Sequence, residues 1–135
     1  MEFTESLKIC FGKYTKFDGR ASKAEFWYFF LFCFIYMFIA GFLLGFIGAS
    51  DAAFDGATLV LMIPIFIPSI AVASRRLHDI NQSGWMQCIF IPGFLADAFL
   101  GTGYVIYILT LALWAFWFSQ KGKKGKNRFG PQPKK

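Results

Sequence analysis

Residues 26–48 read FWYFFLFCFIYMFIAGFLLGFIG, an unbroken run without a single charge. As an α-helix rising 1.5 Å per residue, a run of this length reaches about 35 Å, enough to cross a hydrocarbon core of about 30 Å. It also exceeds the roughly 7–15 apolar residues at the centre of a signal peptide, so it reads as a membrane span. Trp27 and Tyr28 open the run, as aromatic side chains do at a membrane surface, and Trp27 is an interface anchor. Just before it, Ser22-Lys23-Ala24-Glu25 has the pattern of a capping box that starts a helix. Gly41 and Gly45 form a GxxxG element, a place for close helix packing within the chain or against a second copy.

The composition agrees with a bilayer setting. The chain has 135 residues, 56% of them hydrophobic and only 16% charged, with 19 phenylalanines. So short a chain has too little interior to hide that much apolar surface from water. The net charge of +6 is carried at the ends of apolar segments, which points to anionic headgroups rather than nucleic acid. Cys10, Cys33 and Cys88 have neither metal-type spacing nor an even count, and read as small hydrophobes.

Residues 3–14 place Phe3, Leu7, Cys10, Phe11 and Tyr14 at helical spacing, the pattern of an amphipathic helix lying at the interface. Phe17-Asp18-Gly19-Arg20-Ala21 is a turn. Residues 49–56 hold Asp51 and Asp55 and no cation, and form a loop. Residues 57–74 are a second apolar run, bent by Pro64 and Pro68. In a membrane the carbonyls that these prolines leave free must find partners on neighbouring helices. Residues 85–118 are again apolar and too long for one span, with breaks at Pro92-Gly93 and Gly101-Thr102-Gly103. Residues 119–135 form a basic, Gly/Lys-rich tail, read as flexible apart from Asn127-Arg128-Phe129-Gly130-Pro131.

All 14 Lys and Arg fall within residues 8–23, at Arg75-Arg76, or within residues 121–135. By the positive-inside rule those three places are cytoplasmic and residues 49–56 are outside. The expected fold is therefore an all-α integral membrane protein, a four-helix transmembrane bundle behind an N-terminal interfacial helix. Its spans fall at about 26–48, 57–74, 84–97 and 102–118. The last two either cross as a short hairpin turning near Asp97 or dip in as a re-entrant one. Both termini are cytoplasmic, and residues 1–118 make one membrane domain.

One polar island interrupts the apolar chain: Ser74-Arg75-Arg76-Leu77-His78-Asp79, followed by Asn81, Ser83, Gly84 and Trp85. Arg75 and Arg76 suit a helix C-terminus, Asp79 stands three residues from Arg76, Ser83 is an N-cap candidate, and Trp85 is a second interface anchor. The island reads as a structural connection that also has the donors to bind an anion. A lone histidine beside one aspartate supplies neither a nucleophile nor a metal set, so no enzymatic activity and no cofactor are expected.

These residues carry a resemblance. The segments Phe17–Lys23 with Glu25-Phe26-Trp27, Arg75–Asp79 with Ser83-Gly84-Trp85, and Gly125-Lys126-Asn127-Arg128-Phe129-Gly130-Pro131 resemble, in order, the motifs of the DUF805 family. Lys23 stands where that family often has Arg, and Gln132 where Asp usually follows the Gly-Pro. The resemblance implies a small multi-pass protein of the bacterial inner membrane and no particular reaction. Arg20, Glu25, Arg75, Arg76, His78, Asp79, Ser83, Asn127 and Arg128 are the expected polar cluster. Its expected partners are anionic membrane lipids, a partner protein or a second copy of the chain. The competing reading is a small transporter or channel subunit working as a homo-oligomer.

Overall fold

The computed structural model describes residues 1–92, 95 and 105–133. Within them the chain is helical, and the only β pairing is an isolated bridge between Asn127 and Gly130. The helices are α1 (Phe3–Gly12), α2 (Lys23–Phe46), α3 (Asp51–Asp79), a 3₁₀-helix at Gly84–Phe90, and α4 (Val105–Ser119). The chain divides into two units. One comprises Met1–Lys16 with Ala24–Val72, and the other Phe17–Lys23 with the chain from Ala73 onward.

In the first unit α1 packs on the opening turns of α2. The Ser6 hydroxyl donates to the Glu25 carbonyl (2.9 Å), and the Cys10 thiol faces the Glu25 carboxylate (3.9 Å). Ser6 and Cys10 are fully buried. Phe3 meets Tyr28 edge-on, and Phe11 meets Phe29 and Phe32 the same way. The helix stops at Gly12 rather than residue 14, so Tyr14 lies beyond it.

α2 begins directly after Ser22, where the sequence places a helix start. It ends in a Schellman turn, with Gly48 at a positive φ of 68°, Gly48 N–H donating to Gly45 and Ala49 N–H to Leu44 (both 3.1 Å). Only residues 47–50 then separate it from α3, so the expected loop 49–56 is largely absorbed. Asp51 instead opens α3, where a carboxylate complements the unpaired amides of a helix start, and Asp55 follows one turn later. Cys33 lies near Ser69 (3.7 Å) and Gly41 faces Phe54, the pattern of an antiparallel hairpin.

α2 and α3 are each long and apolar enough to cross a membrane. Apart from Phe26, Phe29 and the half-buried Phe32, the phenylalanines of α2 are turned outward. Phe30, Phe34, Phe38, Phe42 and Phe46, four residues apart, form an exposed ladder in which Phe34 stacks on Phe38 and Phe42 on Phe46. Such a stripe suits hydrocarbon, because water would charge roughly 25 cal/mol for every Å² of it.

α3 continues through both prolines. Pro68 has no N–H, so the carbonyl of Pro64, one turn earlier, loses its helical donor. The Tyr14 hydroxyl replaces it at 3.0 Å. The substitute that a bilayer demands therefore comes from the segment after α1.

In the second unit α3 ends in another Schellman turn. Asn81 takes the left-handed position (φ 65°) that glycine usually fills, Gln82 N–H donates to Leu77 (2.9 Å), and Asn81 N–H to His78 (3.0 Å). The next segment differs from the expected span at 84–97, because Gly84–Phe90 winds as a 3₁₀-helix. Its rise of about 2.0 Å per residue spreads few residues over more length. It runs from Gly84, buried against Ser74, to Phe90, which packs on Trp117 and Phe118 of α4. The expected outer turn at Asp97 and Gly101-Thr102-Gly103 lies outside the described residues.

The Tyr14 bond yields a direct test. Tyr14→Phe should lower stability by about 1 kcal/mol, the typical worth of one hydrogen bond. In a Pro68→Ala background, where the Pro64 carbonyl regains an amide, the same change should cost almost nothing. Thermal unfolding of the four proteins in detergent completes the cycle.

Candidate functional site

The last turns of α3 present Arg75, Arg76, Leu77, His78 and Asp79, and all five are buried. Neighbouring residues on a helix point about 100° apart, so burying all of them requires chain on every side. The turn at residues 17–22 and the tail after α4 supply it. Ala21 N–H donates to the Arg75 carbonyl (2.9 Å), and the Ser74 hydroxyl reaches the Phe17 carbonyl (3.5 Å).

Asp79 is the hub. Its Oδ1 accepts from Arg20 Nε (2.9 Å) and lies 2.8 Å from Arg20 Nη2, while its Oδ2 accepts from Arg76 Nη1. The remaining donors of both arginines go to main-chain carbonyls. Arg76 donates to Phe118 (Nε, 3.1 Å) and Gln120, and Arg20 to Lys123, Gly125 and Gly130. Every nitrogen of both guanidinium groups is thereby engaged. The Asp79 carbonyl completes the set by accepting from Lys123 N–H (2.9 Å).

His78 forms a second tie. Its Nδ1 is 2.9 Å from the Gly19 carbonyl, and its own carbonyl accepts from Asn127 Nδ2 (2.8 Å). The imidazole stacks on Phe129 at 3.9 Å, nearly parallel at 7°, with the Arg128 guanidinium 4.6 Å from the centre of the same ring. Arg128 also donates to the Asn81 carbonyl (3.2 Å). Asn127 Oδ1 accepts from Phe129 N–H, and paired bonds between Asn127 and Gly130 close the loop.

The tail, expected to be flexible up to residue 126, is therefore tied down from residue 120 onward to Gly130. Its glycines, which suggest mobility by composition, serve close approach and sharp turning instead. A Cβ on Gly122 would overlap the Asp79 carboxylate, while Gly125 and Gly130 hold positive φ. Gly84 is similarly confined by Ser74 and by His78 Nε2, 3.3 Å from where its Cβ would lie.

Of the expected cluster, Arg20, Arg76, His78, Asp79, Asn127 and Arg128 share one network within the second unit, with Arg75 buried among them. Ser83 precedes the 3₁₀-helix at the N-cap position, but its side chain makes no cap bond. Glu25 belongs to the first unit, with Ser6 and Cys10. Trp27 sits edge-on between Phe26 and Phe30, and Trp85 is 82% exposed. Gly41 lies against Phe54, while Gly45 faces open space. Sequence reasoning misses the partners Phe118, Gln120, Lys123, Gly125 and Gly130, which act through backbone oxygens, and it misses Gly122.

Chemically, the site neutralises one carboxylate between two guanidinium groups and spends their other donors on the chain itself. Among the described residues no three His, Cys, Asp or Glu side chains gather as metal ligands. What fold and site define is a small helical membrane protein whose buried charges fasten its own tail. The chain belongs to the DUF805 family, whose model, described as a protein of unknown function, matches residues 14–131. All three motifs fall inside that match. The chain is similar to inner membrane protein YhaH of Escherichia coli (strain K12), 36% identical over 122 residues that cover 90% of this chain and 89% of the relative. It is also similar to inner membrane protein YhaI of the same strain, 32% identical over 122 residues covering 90% and 88%. No solved structure matches the chain. These relatives place it among bacterial inner-membrane proteins, and they indicate no enzyme family.

The hub has a measurable consequence. Asp79→Ala leaves two guanidinium groups buried without their counter-charge and should cost about 3 kcal/mol or more. Gly122→Ala leaves the charges in place but pushes on the same carboxylate. Both variants should expose the lysines of residues 121–126 to trypsin in detergent, whereas in the parent chain those sites should be cut slowly.

Proposed function

We propose that this chain is a non-enzymatic, multi-pass inner-membrane protein that engages anionic lipid with the basic surface its charge cluster organises. One observation carries the reading. Three motifs far apart in sequence meet at Asp79, and the arginines there spend their donors on tail carbonyls rather than on a reacting group. The result is a tail whose lysines stand exposed on a fixed backbone. A loose lysine tail binds anionic headgroups at about 1 kcal/mol per charge. A fastened one binds them without first losing its conformational freedom.

The charge pattern completes the proposal with N and C termini in the cytoplasm, α1 at the interface, and α2 and α3 as an outward-turning hairpin. On this reading the stretch after the 3₁₀-helix crosses and returns. The whole basic surface then faces the leaflet where anionic lipid concentrates.

Two measurements test it. Replacing Arg75 and Arg76 with Gln should lower the anionic phospholipid that co-purifies with the full chain by about twofold or more; an unchanged lipid content with the tail demonstrably released would refute the function. A cysteine introduced at Lys124 should resist impermeant thiol reagents in intact cells and react after permeabilisation. Reaction in intact cells would reverse the orientation.

A further inference from the structure

Two cavities in the second unit meet at one residue. The first, about 410 Å³, is an apolar groove lined by Ile89 and Phe90 of the 3₁₀-helix and by Thr110, Leu113, Phe116 and Trp117 of α4, ending at Gln120. Thr110, Leu113 and Trp117 follow one another at helical spacing along a single face of α4, and Gln120 comes just past its end. The groove therefore extends about 15 Å up the helix from Gln120. Its one hydroxyl is already satisfied, since Thr110 Oγ1 donates to the Ile106 carbonyl at 2.8 Å. The wall is apolar in effect.

The second cavity, about 350 Å³, begins at the same Gln120. Lys23, Lys121, Lys123 and Lys124 line it together with Arg76 and Asp79. The Asp79 charge is already matched by Arg20 and Arg76, so the four ammonium groups have no further acid among the lining residues. Cations converging on one concavity focus a positive field there and attract phosphate. Lysines on flexible stems act as adjustable point charges rather than as a fixed fork.

We propose that the two cavities form one composite site for a single anionic phospholipid, an acyl chain in the α4 groove and the phosphate among the lysines. The inference deepens the lipid-binding reading above and rests on it. Neither half specifies this occupant alone. An apolar groove facing a bilayer takes any chain, and a lysine cluster takes any anion. Their junction at Gln120, where helix passes into basic tail, selects a molecule that is apolar on one side and phosphorylated on the other. Arg76 and Asp79 shape the floor, because the cluster that fastens the tail also fixes where its lysines stand.

The test titrates the full chain in detergent with phosphatidylglycerol, phosphatidylcholine or soluble glycerol 3-phosphate, reading bound ligand by native mass spectrometry. The parent chain should bind one phosphatidylglycerol, at least fivefold more tightly than phosphatidylcholine and far more tightly than glycerol 3-phosphate. Leu113→Trp, at a position 62% exposed, fills the groove and should weaken phosphatidylglycerol at least fivefold while leaving glycerol 3-phosphate unchanged. Lys121→Gln with Lys124→Gln, both at exposed positions, should remove the preference over phosphatidylcholine. Resistance to trypsin at Lys123 and Lys126, which every variant retains, confirms that each is folded. If only the lysine change matters, binding is surface electrostatics: the composite site is overturned and the broader function stands. If neither change matters, both fall. Equal affinity for glycerol 3-phosphate and phosphatidylglycerol would assign the lysines to a free phosphate and overturn the lipid site.

Discussion

The carboxylate of Asp79 lies between the guanidinium groups of Arg20 and Arg76, and the second unit depends on that arrangement. Three charges withdrawn from water are costly, and a bare ion pair seldom recovers the loss. Here the cost is offset because Arg20 and Arg76 have enough N–H groups to satisfy the carboxylate and five main-chain carbonyls as well. Lysine would not serve, since its ammonium has only three donors and no planar fork. Without Asp79 the two cations would repel at close range. Without the arginines the tail would lose its acceptor bonds.

The first unit follows a different constraint, that of backbone polarity in hydrocarbon. In a bilayer, two prolines one turn apart in α3 would leave carbonyls without a donor. Tyr14 answers for one of them, at Pro64. The segment bearing Tyr14 is linked to α2 by the packing of α1, through Ser6, Cys10 and a set of edge-on rings. The N-terminal helix thus has a structural role in holding that hydroxyl near α3, beyond any affinity for the interface. The outward phenylalanine ladder of α2 makes the complementary point, since a helix that buries so little of its apolar surface within the chain needs lipid around it.

The elements legible in the sequence were those written in side-chain type. The uncharged run 26–48 announced α2, Gly19 announced a turn, and the motif pattern pointed to a cluster of Arg20, Glu25, Arg75, Arg76, His78, Asp79, Ser83, Asn127 and Arg128, from which Glu25 and Ser83 stand apart. Elements that depend on the main chain were not legible. Nothing in a residue name says that the carbonyl of Phe118, Gln120 or Lys123 will accept from an arginine, so residues 119–126 read as a loose tail. Gly122 looked like flexibility because composition cannot separate a glycine chosen for freedom from one chosen for having no Cβ. Asn81 could be read as a turn residue, but its use as the left-handed terminator of α3 depends on Leu77 and His78 offering their carbonyls. The 3₁₀ winding of Gly84–Phe90 was hidden for a similar reason: its apolar pattern also fits an α-helix, and the contacts at its two ends are tertiary.

The lysine-rich tail folds back against its own charge. Lys121, Lys123, Lys124 and Lys126 repel one another and favour an extended, solvated chain. Folding them onto the end of α3 needs an opposing force, and the bonds from Arg20 and Arg76 to the tail carbonyls provide one that leaves the lysine side chains free. An anion settling among those side chains would relieve their repulsion in the folded tail more than in a released one. By linkage, whatever binds the lysines must also stabilise the fastened tail, and whatever loosens Asp79 must weaken the binding. The charge cluster and any anion held by the lysines would then form a single thermodynamic unit. That is a physical reason for the Arg20, Arg76-Asp79 and Asn127-Arg128 motifs to occur together in one chain.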